Sequence, residues 1–169
     1  MSKIKNNPQT QDRNFYTLAQ LAKGKVAKAL KATKIRKRIR GTVIIDTAQG
    51  ILLVSSNGDR FSLPGGGAEK NETGEAAAIR ELEEETGLTT ISAQYLLSHV
   101  GKIRQRSSGL FRNHHEVFLV QAEGQPLPKE EIKAIRYYQL GDQIKLSGSA
   151  GKIIEKYWAM KQSGAIDIS

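Results

Sequence analysis

The chain has 169 residues with 26 Lys and Arg against 17 Asp and Glu, a net charge of +9, and no cysteine. The length suits one domain with a proper core, and the missing cysteine excludes disulfides, thiolate metal sites and a cysteine nucleophile. The charge is uneven: residues 1–40 hold 12 Lys and Arg and one acid, Asp12, so the remaining 129 residues are close to neutral.

Residues 1–12 are polar. From Phe15 to about Arg38 the spacing predicts a helix, with Phe15, Leu18, Ala22, Val26, Ala29 and Thr33 on one stripe and Gly24 as a weak point. A basic N-terminal helical extension over 1–38 and a domain over 39–169 are therefore expected. Such a helix can dock on the domain, form an arm of a homodimer, or act as an interfacial or nucleic-acid-binding basic helix. Lys34, Arg36, Lys37, Arg38 and Arg40 form the best patch for RNA. The N-terminus has no apolar signal core, and no apolar run is long enough to span a bilayer. A cytoplasmic protein is the expectation.

Strands are predicted over 39–46, 50–56 and 60–63, with turns at Thr47–Gln49 and Asn57-Gly58-Asp59. Pro64-Gly65-Gly66-Gly67 then makes a glycine-rich loop. A helix follows over about 74–86, with Thr73 as N-cap and Gly87 just past its end. On that helix Ala76, Ile79, Leu82 and Thr86 share one side, and Glu81, Glu84 and Glu85 the other. Further on, residues 90–105 read as strand, Gln105–Asn113 as a basic loop and His114–Glu123 as strand. Gly124–Lys129 is a loop, 132–140 a strand, and Ser149 caps a closing helix to about Lys161. Strands around a central helix, with a second helix at the end, imply an α/β (α+β) layered domain.

The chemistry is concentrated in the helix at 74–86. Glu81 and Glu85 stand at i, i+4 and repel, and acids near a helix C-terminus oppose its dipole. A divalent cation with oxygen ligands removes that penalty. The bland alternative is a solvated acidic face. Position by position, Gly66, Glu72, Arg80, Glu81, Leu82, Glu84, Glu85, Gly87 and Leu88 match the pattern G-x5-E-x7-R-E-U-x-E-E-x-G-U, where U is bulky and aliphatic. This is the Nudix box, and the chain resembles a Nudix hydrolase. The one local departure is Asn71, where many relatives carry Gly; Asn also tolerates positive φ.

The resemblance implies an α/β/α sandwich with a mixed sheet, and Mg²⁺ or Mn²⁺ as cofactor. It implies metal ligation by Glu81, Glu84 and Glu85, with the carbonyl of Gly66 as a weaker ligand, and an Arg80 that orients its neighbouring glutamate. Glu72 would be structural. Glu130 and Glu131 lie where relatives supply a further carboxylate, so the catalytic candidates are Glu81, Arg80, Glu84, Glu131 and Glu130. Lys102, Arg104, Arg106 and Arg112 are candidates for binding substrate phosphates, or else solubility charges. His99, His114, His115 and Glu116 can be either functional or ordinary strand residues; adjacent His114 and His115 face opposite ways in a strand. Phe111, Tyr137 and Tyr138 can stack on a base or pack in the core. The implied activity is hydrolysis of a nucleoside diphosphate linked to another group. The rivals are an RNA 5′-end pyrophosphohydrolase, a non-catalytic nucleotide sensor, and an enzyme for diphosphoinositol polyphosphates.

Overall fold

The computed structural model describes residues 35–166. The expected helix over 15–38 lies outside these residues except at its end, and there the expectation is corrected: Arg36–Arg38 belong to a strand. That strand, β1 (Arg36–Ile44), starts before the expected residue 39 because its basic residues pair in parallel with a later strand, from Arg36↔Phe111 to Ile44↔Leu119. Lys and Arg carry no strand signal of their own. Their neighbours in the sheet decide the conformation.

Two short strands follow, β2 (Asp46–Thr47) and β3 (Gly50–Ser55). The expected strand at 60–63 is reduced to isolated bridges, Val54↔Ser62 and Phe61↔Leu146, because the chain must turn there into the glycine run. Helix α1 spans Gly74–Thr86 as predicted. Thr73 Oγ1 caps the Ala76 N–H, and Gly87 closes the helix at φ 72°. Then come β4 (Thr89–Arg106), β5 (Gly109–Glu123), β6 (Ala134–Tyr138) and α2 (Gly148–Gln162).

The basic loop expected at Gln105–Asn113 is instead the tip of a long hairpin. β4 and β5 pair out to Arg106↔Gly109, and only Ser107 and Ser108 turn. A two-stranded ribbon exposes most of its tip side chains, so its composition reads as a loop. Gly109, at φ 106°, supplies the left-handed backbone the turn needs. The cap of α2 is also displaced from the expected Ser149 to Ser147, whose side chain accepts from Ala150 N–H. The choice between two serines is made elsewhere in the chain: Ser147 N–H donates to Phe61 O at 2.7 Å, which pins the residue just before the helix.

The strands form two sheets, ordered β1-β5-β4 and β2-β3-β6, with β1 parallel to β5 and the other pairs antiparallel. Alternation along β1, β3 and β5 divides the core in two. Val43, Ile45, Leu52, Phe118 and Val120 pack with Ala78 and Leu82 of α1. Ile44, Ile51, Leu53 and Val117 pack with Ile153, Ile154 and Tyr157 of α2. The sheets therefore lie between the two helices, the expected α/β/α layering. α2 is also tied down by polar contacts. Tyr157 Oη and Lys161 Nζ each donate to Asp46 Oδ2 at 2.7 Å.

The face of α1 that is buried differs from the expected one. Ala77, Ala78, Leu82, Glu85 and Thr86 are buried, while Ala76 is exposed. The helix sits very close to β1 at Gly41, whose missing side chain leaves room for the Gly74 carbonyl and the Ala78 amide. This close approach carries Glu85 inward from the side opposite the core, where helical spacing put it.

Candidate active site

Arg80 is the centre of an ionic network at the surface of α1. Its Nε and Nη2 donate to the two oxygens of Glu72 at 2.9 and 3.2 Å. Its Nη1 donates to Glu81 at 3.1 Å and to Glu84 at 2.9 Å, and Nη2 also reaches Gly67 O at 3.3 Å. Only a planar, forked guanidinium serves so many acceptors at once. The pair with Glu72 dominates: its hydrogen bonds raise the Arg80 pKa and hold the Glu72 carboxyl below its usual range. Glu72 also accepts from Glu69 N–H at 2.8 Å, and Asn71 takes the left-handed φ of 69° that its side chain tolerates. This turn fixes the entry to α1.

Glu85 is the unusual carboxylate. It is buried, and Oε2 accepts from Gly65 N–H at 2.9 Å. Burial pushes its pKa up to about 7 against the opposing Gly65 hydrogen bond, and the charges of Glu81 and Glu131 add to the rise. Glu81 lies directly against the α-carbon of Gly66, where any side chain would overlap its carboxylate. Arg40 of β1 donates to Gly65 O from the other side of the loop. Burial lowers the Arg40 pKa, and the negative charges of Glu85 and Glu81 oppose that shift.

These residues fit a hard divalent cation. All the donors are oxygens. One carboxylate is buried with only an amide N–H bonded to it, and a bare glycine leaves the loop backbone open beside Glu81. The acids are not drawn into a cage, however. Among the described residues no three potential ligands are gathered as a ready metal site, since Glu81 and Glu84 are turned onto Arg80.

The loop before β6 is stitched to the end of α1 by Leu127 N–H to Thr86 O at 2.9 Å and Lys129 N–H to Glu85 O at 3.1 Å. This brings Glu131 near enough for its charge to repel Glu85, and Glu130 adopts a left-handed φ of 48°. Glu116 packs against Gly74 at the opposite end of α1. At 1.5 Å per residue that is about 15 Å from Glu84 along the axis, so Glu116 does not join the acidic group.

The four basic candidates separate. Arg104 lines a cavity together with Arg40, while Arg106 stacks 5.1 Å from the Phe111 ring in a second pocket with Arg36, Lys37 and Arg38. Lys102 is exposed on the hairpin, and Arg112 Nε is buried with no partner among the described residues. Phe111 is buried, and Tyr137 and Tyr138 pack against the two core clusters.

His115, weighed above as either functional or an ordinary strand residue, is 6% exposed and lines the same cavity as Arg40. Its Nδ1 lies 3.0 Å from Thr42 Oγ1, and burial holds its pKa down at about 4. The signal that could have found it is parity: Arg40 and Thr42 on β1 and Asn113 and His115 on β5 all point to the α2 side. The shift has a consequence for stability. The folded pKa lies below the ordinary 6.5, so the neutral ring's contribution is complete above pH 6.5 and is lost as pH falls towards 4. The loss is expected to be on the order of 3 kcal/mol. Denaturant midpoints from pH 7 to 4 should fall more steeply for the wild type than for His115→Gln; parallel slopes would show that the ring does not titrate this way.

A sheet layered between helices, with a glycine loop feeding an Arg-tethered acidic helix, defines a Nudix-type hydrolase. The NUDIX domain model matches residues 35–157, and the chain belongs to that family. A nudix hydrolase family member from Chromobacterium violaceum is 32% identical, with 76% of this chain and 79% of that one covered, at a TM-score of 0.62. A MutT NUDIX hydrolase from Burkholderia pseudomallei is 24% identical over 71% and 97% of the two chains, at 0.59. An ADP-ribose pyrophosphatase from Streptococcus suis shares the fold at 20% identity over 78% and 94%, at 0.52. No curated protein matches the chain. Among the described residues no helix is long and apolar enough to cross a membrane.

Proposed function

We propose that the protein is a metal-dependent pyrophosphohydrolase acting on a nucleoside diphosphate linked to a further group. The observation that carries this reading is the pairing of a buried Glu85 on Gly65 N–H with an Arg80 that collects Glu72, Glu81 and Glu84. Glu81, Glu84 and Glu85 would hold Mg²⁺ or Mn²⁺, with the Gly66 carbonyl beside them. When bound, the ion supplies Lewis-acid polarisation of the diphosphate and a water of lowered pKa.

The chain's own residues do the rest. Arg80, anchored on Glu72, orients Glu81 and Glu84. Glu81 or Glu131 takes the proton of the attacking water; Glu131 is favoured over Glu130 by its place near Glu85. The new P–O bond forms as the bridging P–O bond breaks, giving two phosphate monoesters. Arg40, bonded to Gly65 O of the glycine run, offsets charge on the reacting phosphates. The relative acting on ADP-ribose supports the substrate class.

The test is phosphate-release assays with Mg²⁺ or Mn²⁺ on nucleoside triphosphates, ADP-ribose, nucleotide sugars, dinucleoside polyphosphates and 5′-triphosphorylated RNA. Turnover that stops on chelation is expected. Binding of nucleotides without turnover in either metal would replace the enzyme by a sensor. A second reading, action on RNA 5′ ends, draws support from the basic pocket of Arg36, Lys37, Arg38 and Arg106 beside Phe111. It requires RNA to lead the panel, with kcat/KM falling steeply as salt rises.

A further inference from the structure

We propose that the cavity between the α2 N-terminus and strands β1, β4 and β5 is a second anion subsite, built for a phosphate that the substrate carries away from its scissile diphosphate. This rests on the hydrolase reading above and names a feature of the substrate.

The cavity measures about 200 Å³, and its polar lining includes Arg40, Arg104, Asn113, His115, Ser147 and Ser149. Three independent features point to an anion. The first is charge: among the described residues two guanidiniums line the space and no acidic side chain does. The second is the first turn of a 15-residue helix. Ser147 caps the Ala150 N–H, leaving the N–H groups of Gly148 and Ser149 without helical acceptors at the positive end of the dipole.

The third is His115. Its ring is more than nine-tenths buried, and Nε2 has no hydrogen-bond partner among the described residues. A buried polar atom left unpaired costs roughly 1–3 kcal/mol, so a ligand or water that pairs with it inside the cavity is favoured. In the tautomer in which Thr42 Oγ1 donates to Nδ1, the neutral imidazole presents Nε2–H to the cavity. Asn113 Oδ1 is likewise buried and unpartnered, and a turned amide offers N–H₂ instead.

The lining argues against a nucleobase. Among the described residues no Phe, Tyr or Trp ring walls the cavity, so none of them offers a stacking plane. Donors converging from two arginines, serine hydroxyls, a helix end and an imidazole suit a tetrahedral oxyanion. Arg40 joins this cavity to the catalytic loop through its bond to Gly65 O, which places the second anion close to the glycine run.

The experiment uses the full chain. In metal-free buffer with chelator, inorganic phosphate is titrated at constant ionic strength while the His115 ring nitrogens are followed by ¹⁵N NMR. A saturable shift at Nε2 is expected in the wild type and in Glu84→Gln. It should weaken about tenfold in Arg104→Gln, the loss of one charge-assisted contact. Ser149→Asp, which sets a carboxylate on the helix end, should abolish it. Hydrolysis is then compared for ADP-ribose and its 2′-phosphate. A preference for the phosphorylated member, residing in KM and reduced in Arg104→Gln, is expected.

No shift at His115, or one equal in Arg104→Gln and the wild type, overturns the subsite. A shift without any substrate preference overturns the substrate-borne phosphate and leaves a site for the free ion. Either result is distinct from failure of the hydrolase reading, in which no member of the substrate panel is turned over; a panel substrate turned over while both of these compounds are ignored excludes the 2′-phosphate.

Discussion

Glu84→Gln is expected to lower kcat/KM roughly a thousandfold with Mg²⁺ while leaving the unfolding midpoint within about 0.5 kcal/mol of the wild type. Glu84 is half-exposed on α1, and its one ion pair, to Arg80 at 2.9 Å, is an i, i+4 surface contact of little weight in stability. Gln keeps the volume and removes the charge. The fold therefore loses almost nothing, whereas a site that must hold a divalent cation against a diphosphate loses an anionic oxygen. Steady-state kinetics with denaturant titration on the same preparation separates the two effects. Full activity in the variant would exclude Glu84 from the metal-binding group and, with it, the mechanism proposed above.

Gly41→Ala has the opposite profile. A β-carbon there would overlap the Gly74 carbonyl oxygen and the Ala78 amide nitrogen of α1. Both obstacles are backbone, so no rotamer change relieves them. α1 has to lift from β1, disturbing the packing of Ala78 and Leu82 on Val43 and Phe118. The expected loss is about 3 kcal/mol, at the upper end for overpacking. Activity should fall as well, because the same movement separates Glu81 and Glu85 from the glycine run and from Arg40 on β1. Gly151→Ala is the control: it lies within α2 with only ordinary contacts to Leu146, and should stabilise by about 0.5–1 kcal/mol. An unchanged midpoint for Gly41→Ala would mean that the helix and strand are not in such close contact.

How much of this was legible beforehand depends on whether a signal was local. α1 was, because its cap at Thr73, its stop at Gly87 and its 3.6-residue pattern all lie within the segment. The hairpin tip was not. Lys102 to Arg112 has the composition of a loop, and only pairing between distant strands makes it a ribbon. The arginine at the start of the acidic cluster was readable as a tether for Glu81, yet its two-pronged grip on Glu72 depends on how the turn at Asn71 folds back. For the site, the acidic group was visible as a spacing. The cavity walled by Arg40, Arg104, His115 and the α2 N-terminus was not, since its parts come from four elements up to 109 positions apart, from Arg40 to Ser149.

From its order of residues alone, this protein declared a glycine loop leading into an acidic helix, and hence its class. Those features need only neighbours along the chain. Tertiary structure decided which carboxylate is buried, which arginines share a cavity and which serine caps the last helix. Each of those outcomes turns on desolvation or on contact between segments far apart in sequence, and neither exists until the sheets close between the helices.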